Sequence, residues 1–326
     1  FFLGENDEEF ISTYVGCIRK KIVPCLLSSQ INQDLFQNLL KIYKPQYIFL
    51  LKSKFKNIKK YKKIFSLSKY YILSKKVKDT FPLHNNLALL LSTSGSTGDK
   101  KFVRISYENL HNNSKNIINY LNINQSHKTV TTMPSHYTYG LSIINTHLQA
   151  GASIYITNLR IIEKKFWELV KKHNICSFGG VPYFYEILKK INFSKFDLPS
   201  LKYLTQAGGA IDNDVLDYFI KYSENNNIRF IVMYGQVEAT SRITYLPYKD
   251  LNFKIGSVGI PIPEGKIKLK NKKKIGQTYE GEVIYYGKNV SMGYAEKIEG
   301  AYRLTELGYS MLPHVWTDSS PAFRVL

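Results

Sequence analysis

Tyr203-Leu204-Thr205-Gln206-Ala207-Gly208-Gly209-Ala210 begins a stretch that ends, one helical segment later, in Arg229-Phe230-Ile231-Val232-Met233-Tyr234-Gly235-Gln236-Val237-Glu238. Residues 203–206 and 229–233 have the length and composition of strands, and residues 212–222 between them read as a helix. Strand, helix and strand within about 30 residues make a crossover that sets both strands parallel in one sheet. Both following loops then leave from the carboxyl edge of that sheet, where open α/β sheets take their ligands. One loop offers bare backbone at Gly208 and Gly209. The other offers the phenol face of Tyr234 and, four residues on, the carboxylate of Glu238. A planar base on Tyr234 with a metal ion near Glu238 would suit a nucleotide. A plain turn, a core tyrosine and a solvated helix start explain the same residues without a ligand, so the pattern alone leaves both open.

The alternation continues toward the front of the chain. Residues 129–132, 153–156 and 176–178 read as strands, the last ended by Gly179-Gly180-Val181-Pro182, and residues 164–173 and 183–191 as helices. Met133-Pro134-Ser135-His136-Tyr137-Thr138-Tyr139-Gly140 joins the first of these strands to its helix. Such spacing means a parallel sheet covered on both faces. The polar residues 122–128 mark a boundary, giving an α/β subdomain over 1–124 and a second over 125–246. Within the first, residues 8–17 and 33–42 suit helices, residues 47–51 a buried strand, and the lysine-rich tail after it a solvated surface. Leu87-Ala88-Leu89-Leu90-Leu91 is a buried strand, Phe102-Val103-Arg104-Ile105 alternates like a half-exposed one, and Ser106 caps a helix with Leu110, Ile117, Ile118 and Leu121 on one side.

Between those strands lies Thr93-Ser94-Gly95-Ser96-Thr97-Gly98-Asp99-Lys100-Lys101. Glycines let successive N–H groups point into one concavity, hydroxyls add donors and lysine adds charge, which is what phosphate oxygens need. The spacing matches neither G-x-x-x-x-G-K-[ST] nor G-x-G-x-x-G, and a Ser/Gly-rich surface hairpin is the plain alternative. Beyond Tyr245, glycines and prolines punctuate short segments, and residues 266–270 and 282–286 alternate like antiparallel strands, giving a β-rich subdomain over 247–326. The expected fold class is α/β: two parallel-sheet α/β/α subdomains plus a small β-rich one.

Composition narrows the classes. The 326 residues are 44% hydrophobic, as in a globular protein, and no apolar run approaches the roughly 18 residues of a membrane helix. The chain starts at Phe1 without a charged-then-apolar leader. The net charge of +20 raises nucleic acid as a partner, but the lysine blocks at 52–78 and 266–274 accompany no reader motif. Abundant Asn, Lys, Ile and Tyr fit an AT-rich coding bias at permissive surface positions, so lysine is expected on solvated faces and nucleic acid is not the expected partner. Cys17, Cys25 and Cys176 lack ligand spacing and fit a reduced, cytoplasmic setting, and the seven histidines contain no H-x-x-x-H pair.

Taken in order, these motifs resemble the adenylate-forming superfamily of acyl-CoA synthetases, nonribosomal peptide adenylation domains and luciferases. The Thr93–Lys101 stretch resembles the signature loop T-S-G-[ST]-T-G-x-P-K, residues 134–140 the aromatic carboxylate-site segment, residues 206–210 the adenine-side loop, and residues 234–240 the Y-G-x-T-E motif. Gly256-Ser257-Val258-Gly259-Ile260-Pro261, Gly281-Glu282-Val283 and residues 287–294 resemble two later motifs. The resemblance implies an AMP-forming ligase in which a carboxylic acid and ATP with Mg²⁺ give an acyl-adenylate. Coenzyme A or a carrier-protein phosphopantetheine would then take the acyl group.

By the same resemblance Ser94, Gly95, Ser96, Thr97 and Gly98, with Thr93 and Lys101, would hold the β- and γ-phosphates. Gly208, Gly209, Ala210, Tyr234, Gly235 and Gln236 would surround the adenosine, Glu238 would bind Mg²⁺, and His136, Tyr137 and Gly140 would border the carboxylate. Lys100 stands where the family has proline, Phe102 where it has glycine, and Val237 where it has threonine, which removes a hydroxyl expected near the α-phosphate. No Thr-Gly-Asp follows Tyr294, and the expectation is a large-domain core without the family's mobile C-terminal domain and lacking sequence at its front. A non-catalytic ligand-binding remnant, or less readily a basic nucleic-acid binder, is the alternative.

Overall fold

The computed structural model describes residues 1–54, 58–76, 83–92 and 101–295, and the backbone of 310–311. The chain opens with β1 (Phe2–Gly4), α1 (Glu8–Arg19), β2 (Cys25–Ser28), α2 (Gln33–Tyr43), β3 (Tyr47–Leu51), β4 (Lys62–Ser66), β5 (Tyr70–Ser74), β6 (Leu87–Ser92) and β7 (Phe102–Ser106). These strands form one sheet in the order β7-β6-β2-β1-β3-β5-β4. Its centre is parallel, while β6–β7, β3–β5 and β5–β4 are antiparallel. Asp7 caps α1 by accepting from Phe10 N at 2.9 Å, and Asn32 caps α2 from Asp34 N at 2.8 Å.

Next come α3 (Tyr107–Leu121), β8 (Lys128–Thr131), α4 (Thr138–Gln149), β9 (Ser153–Ile156), α5 (Lys164–Lys172), β10 (Ser177–Gly180), α6 (Pro182–Lys190), β11 (Tyr203–Gln206), α7 (Asn213–Asn225) and β12 (Arg229–Tyr234). With β13 (Thr244–Tyr245) and β14 (Ile260–Pro261) they give a second sheet, ordered β14-β13-β12-β11-β10-β8-β9. It is parallel from β12 to β9. The long hairpin β15 (Lys266–Ile275) and β16 (Thr278–Tyr286) follows, and then β17 (Tyr294–Ala295), which returns to pair antiparallel with β7 of the first sheet. A last strand, β18 (Ser310–Met311), pairs with β16.

Side-chain alternation sorts the layers. Phe36, Leu39 and Tyr43 of α2 cover one face of the first sheet, and Phe10 and Tyr14 of α1 cover the other together with Leu141 of α4. In β12, Phe230 packs with Phe219 of α7 and Tyr185 of α6, whereas Ile231 and Met233 pack toward α3 and α4. Alternate residues thus face opposite layers, as a parallel sheet buried on both sides requires. The predicted α/β fold class is the one observed.

Two local expectations change. Gly179 and Gly180 do not follow their strand but are the last two residues of β10. A Cβ on Gly179 would stand 2.3 Å from Thr205 Oγ1 and 2.4 Å from the Tyr139 hydroxyl, and one on Gly180 would meet the Phe184 ring at 2.4 Å, so glycine lets helices close onto the strand. Arg104, expected on an exposed face of β7, is 0% exposed. Both faces of β7 are covered, and the Arg104 guanidinium donates to Met292 O. The lysine-rich tail contains the β4–β5 hairpin, which forms the sheet's far edge and leaves Ile64 and Phe65 exposed.

Candidate functional site

β11 and β12 lie side by side in parallel, with Cα partners from Tyr203–Arg229 to Gln206–Val232, so the two loops after them emerge together. In the first loop Gly208 has φ +91°, and a Cβ there would stand 2.8 Å from the Tyr137 hydroxyl and 3.1 Å from Val181 Cγ1. Glycine therefore permits both the left-handed turn and the approach of Tyr137. Buried Gln206 holds this turn by donating through Nε2 to Gly209 O at 2.9 Å, and Gly208, Gly209 and Ala210 stay exposed at the rim. Tyr137 precedes α4, its N–H donating to Pro134 O at 3.0 Å. A Cβ on Gly140 would lie 2.3 Å from that same carbonyl, so Gly140 lets the 134–137 segment fold over the helix start. His136 is half-buried beside Tyr137.

The second loop is more tightly made. A Cβ on Gly235 would lie 1.7 Å from Ser241 O, where backbone meets backbone. Glu238 is half-buried; one of its carboxylate oxygens accepts from the Tyr294 hydroxyl at 2.8 Å, and its carbonyl accepts from Ser291 N at 2.8 Å. Lys101 Nζ stands 5.9 Å from the centre of the Tyr294 ring. Tyr294 thus connects Lys101, at the exit of the Ser/Thr/Gly stretch, to Glu238. Burial, and then the charge of Glu238, pushes the Tyr234 phenol up to about 12. Tyr234 therefore stays neutral near pH 7 and presents a half-buried flat ring. Gln236 follows it in extended backbone, with φ −149°. Thr93, Ser94, Gly95, Ser96, Thr97 and Gly98 lie outside the described residues, but the Ser92–Phe102 pair fixes both ends of their segment beside β17.

Residues that the motifs did not single out hold the second loop. Asn289 is buried; its Nδ2 donates to Ala239 O at 2.8 Å and Arg242 O at 2.7 Å, and its Oδ1 accepts from the Tyr285 hydroxyl at 2.9 Å. Thr240, at φ +59°, donates through Oγ1 to Asn289 O at 2.6 Å. Nothing near Glu238 in sequence announces these partners; the only signal was that Asn289 and Tyr294 fall within one of the later motifs. Val237, where a threonine was expected, is buried in the apolar cluster with Leu141 and Val103.

The donor set suits magnesium. Glu238 supplies hard carboxylate oxygen, and no group of three or more His, Cys, Asp or Glu side chains clusters among the described residues. Mg²⁺ commonly takes one or two carboxylates and completes its shell with phosphate and water, so a single carboxylate fits that ion better than zinc. No helix among the described residues is long and apolar enough to cross a membrane.

The chain is 27% identical over 228 residues to an oxalate–CoA ligase of Arabidopsis thaliana, covering 68% of this chain and 44% of that protein. It is 25% identical over 230 residues to a 2-succinylbenzoate–CoA ligase of Listeria innocua, covering 68% and 46%. The chain therefore spans about half the length of the curated relatives it matches. The O-succinylbenzoate coenzyme A synthetase of Bacillus subtilis, in complex with ATP and magnesium ion, superposes with a TM-score of 0.72 at 17% identity, over 95% of this chain and 65% of that one. Residues 1–295 match the family model of AMP-binding enzymes, and the chain belongs to that adenylate-forming family.

Proposed function

We propose that this chain binds ATP with Mg²⁺ and a carboxylic acid at the carboxyl edge of its second sheet and joins them as an acyl-adenylate. The observation that carries this reading is the convergence of the Gly208–Gly209 turn, the Tyr234 ring and the Glu238 carboxylate on adjacent strand ends, with Tyr294 tying Glu238 to Lys101. An adenine ring stacks on neutral Tyr234 and lies against the bare backbone of Gly208 and Gly209, with Ala210, Gly235 and Gln236 around it. The Thr93–Gly98 segment and Lys101 receive the β- and γ-phosphates, and His136, Tyr137 and Gly140 border the acid. Bound Mg²⁺ supplies charge neutralisation at the phosphates, with Glu238 as its protein ligand.

A carboxylate oxygen of the acid attacks the α-phosphorus, and the bond from that phosphorus to the bridging oxygen of pyrophosphate breaks. No proton need move, so the protein's task is orientation and fixed charge. Lys101 faces the departing pyrophosphate. A thiol, of coenzyme A or a carrier's phosphopantetheine, is the acceptor in the later acyl transfer. The unpaired cysteines Cys17, Cys25 and Cys176 support a reducing, cytoplasmic setting.

Calorimetry with ATP and Mg²⁺ tests the binding step. The folded chain is expected to bind, Glu238→Gln to weaken Mg²⁺-dependent binding at least tenfold, and Tyr234→Ala to weaken it with or without the metal. No binding by folded protein, or no effect of Glu238→Gln, contradicts the reading. One observation favours a second reading, nucleotide binding without turnover: Val237 turns an apolar side chain into the core where a hydroxyl was expected near the α-phosphate. Acid-dependent release of pyrophosphate decides between the two.

A further inference from the structure

β4 closes the first sheet at the end away from β7 and, among the described residues, has a strand neighbour on one side only, β5. The stretch around it, residues 52–78, contains eleven lysines and no aspartate or glutamate. Lys59, Lys60, Lys62, Lys63 and Lys76 are exposed and form no ion pair with a described residue. The acids that reach the hairpin stay at its turn. Glu9 accepts there from Ser68 N at 2.8 Å and Lys69 N at 2.9 Å, and Asp7 stands 3.5 Å from Lys69 Nζ. Toward the other end, Lys75 Nζ stands 5.0 Å from the centre of the Tyr61 ring, and burial first, then the charges of Lys44 and Lys60, pull its pKa down. Like charges held this close are relieved by an anion from outside. Lysines on an edge strand can serve only to keep other strands away. Ile64 and Phe65 are what that role leaves unexplained. Both are 56% exposed, and the β4–β5 register shifts between Lys63 and Phe65, so that Ile64 is the extra residue of a bulge. Bulges re-aim side chains, and this one leaves two consecutive large apolar groups in solvent on an edge lined with ammonium groups.

We propose that the β4–β5 hairpin seats the protein on an anionic membrane surface, with Ile64 and Phe65 entering the boundary between headgroups and acyl chains and the surrounding lysines meeting the lipid phosphates and carboxylates. Apolar side chains flanked by lysine are the composition with which a protein lies on such a surface, and each lysine near it adds about fivefold in affinity. A second copy of the chain fits this edge poorly, because it would bring the same block of lysines. A nucleic acid would answer the charges but give the Ile64 side chain no apolar medium to enter. A carrier that delivers a thiol to the proposed site has no use for the place, since β4 lies six strand spacings from β7, about 29 Å across the sheet. That separation suits an anchor, which holds the protein at a surface without entering its site. The inference stands apart from the adenylation reading.

The test is flotation of the full chain with vesicles of phosphatidylcholine alone and of phosphatidylcholine with about one-third phosphatidylserine. Binding to the anionic vesicles is expected to be at least tenfold tighter than to the neutral ones, and to fall as salt rises from about 0.05 to 0.5 M. Replacing both apolar residues, Ile64→Ser with Phe65→Ser, is expected to weaken it at least tenfold, and Lys62→Gln with Lys63→Gln to do the same. All four side chains are exposed, so both variants should fold, which chemical denaturation checks. No preference of the folded chain for anionic vesicles overturns the inference. Binding undiminished in the Ile64 and Phe65 variant reduces the contact to charge alone and overturns it too, and binding undiminished in the lysine variant places the contact elsewhere. Single-stranded RNA bound more tightly than the vesicles, and equally by the Ile64 and Phe65 variant, assigns the edge to nucleic acid and overturns the inference as well.

Discussion

The two loops at the carboxyl edge of the second sheet stand next to each other but are held in different ways. The 207–210 turn is fixed from within its own sheet, by Gln206 of its own strand and by Tyr137 and Val181, from the loops after β8 and β10, against Gly208. The 235–242 loop is fixed from a distance: Asn289, Ser291 and Tyr294 reach it from a segment about 50 residues later, on the way to the first sheet. β17 pairs with β7, beside the Ser/Thr/Gly segment, so the residues that hold Glu238 are continuous with the edge that carries Lys101. The difference teaches that the proposed adenine side is built within the second sheet, whereas the proposed metal side is a joint between the two sheets. Damage to the first should stay local, and damage to the second should propagate.

The largest effect expected is from Gly235→Ala. Its Cβ meets backbone, not a side-chain end that can swing away, so a loss of about 3 kcal/mol or more in chemical denaturation is predicted. Asn289→Ala should come next, at about 2–3 kcal/mol, because it leaves Ala239 O and Arg242 O unpaired in the interior. It should also weaken Mg²⁺-dependent nucleotide binding although Asn289 touches no proposed ligand; intact binding in that variant would break the idea of a joint. Gly208→Ala is expected to cost about 1–2 kcal/mol through its positive φ. Tyr137 ends in a hydroxyl that can move aside, so this variant should impair nucleotide binding more than stability. Tyr294→Phe should have the smallest effect on stability, about 0.5–1 kcal/mol for one partly exposed hydrogen bond. Its signature should be a higher Mg²⁺ requirement for nucleotide binding, and an unchanged requirement would remove Tyr294 from the site.

Legibility in the sequence follows the same division. The β–α alternation from 129 to 234 was readable because apolar runs alternate with helical faces and each strand neighbours the next one or two in sequence. The Gly208–Gly209 turn and the pairing of Tyr234 with Glu238 follow from that topology. Asn289 and Tyr294 were not assigned roles, because their partners become neighbours only after the chain has crossed both sheets. Composition misled on asparagine. Read as a permissive surface residue, it is buried at 109, 112, 113 and 116 along one side of α3. There Asn109 completes a capping box with Ser106 and donates to Lys288 O and Val290 O at 2.8 Å. Lysine fits the surface expectation better: every residue of β4, including Lys62 and Lys63, is exposed. Glycine at 179 and 180 was read as a strand end because a bare sequence does not show which helix presses on the strand.

The most direct test of the central claim is hydrogen exchange of the chain with and without ATP and Mg²⁺, followed by mass spectrometry. The account predicts slowed exchange in 207–210 and 234–242 together with 289–295, the last segment depending on the metal through Tyr294 and Glu238. Protection confined to the lysine-rich 59–76 hairpin, or no protection in either carboxyl-edge loop of the second sheet, would contradict it.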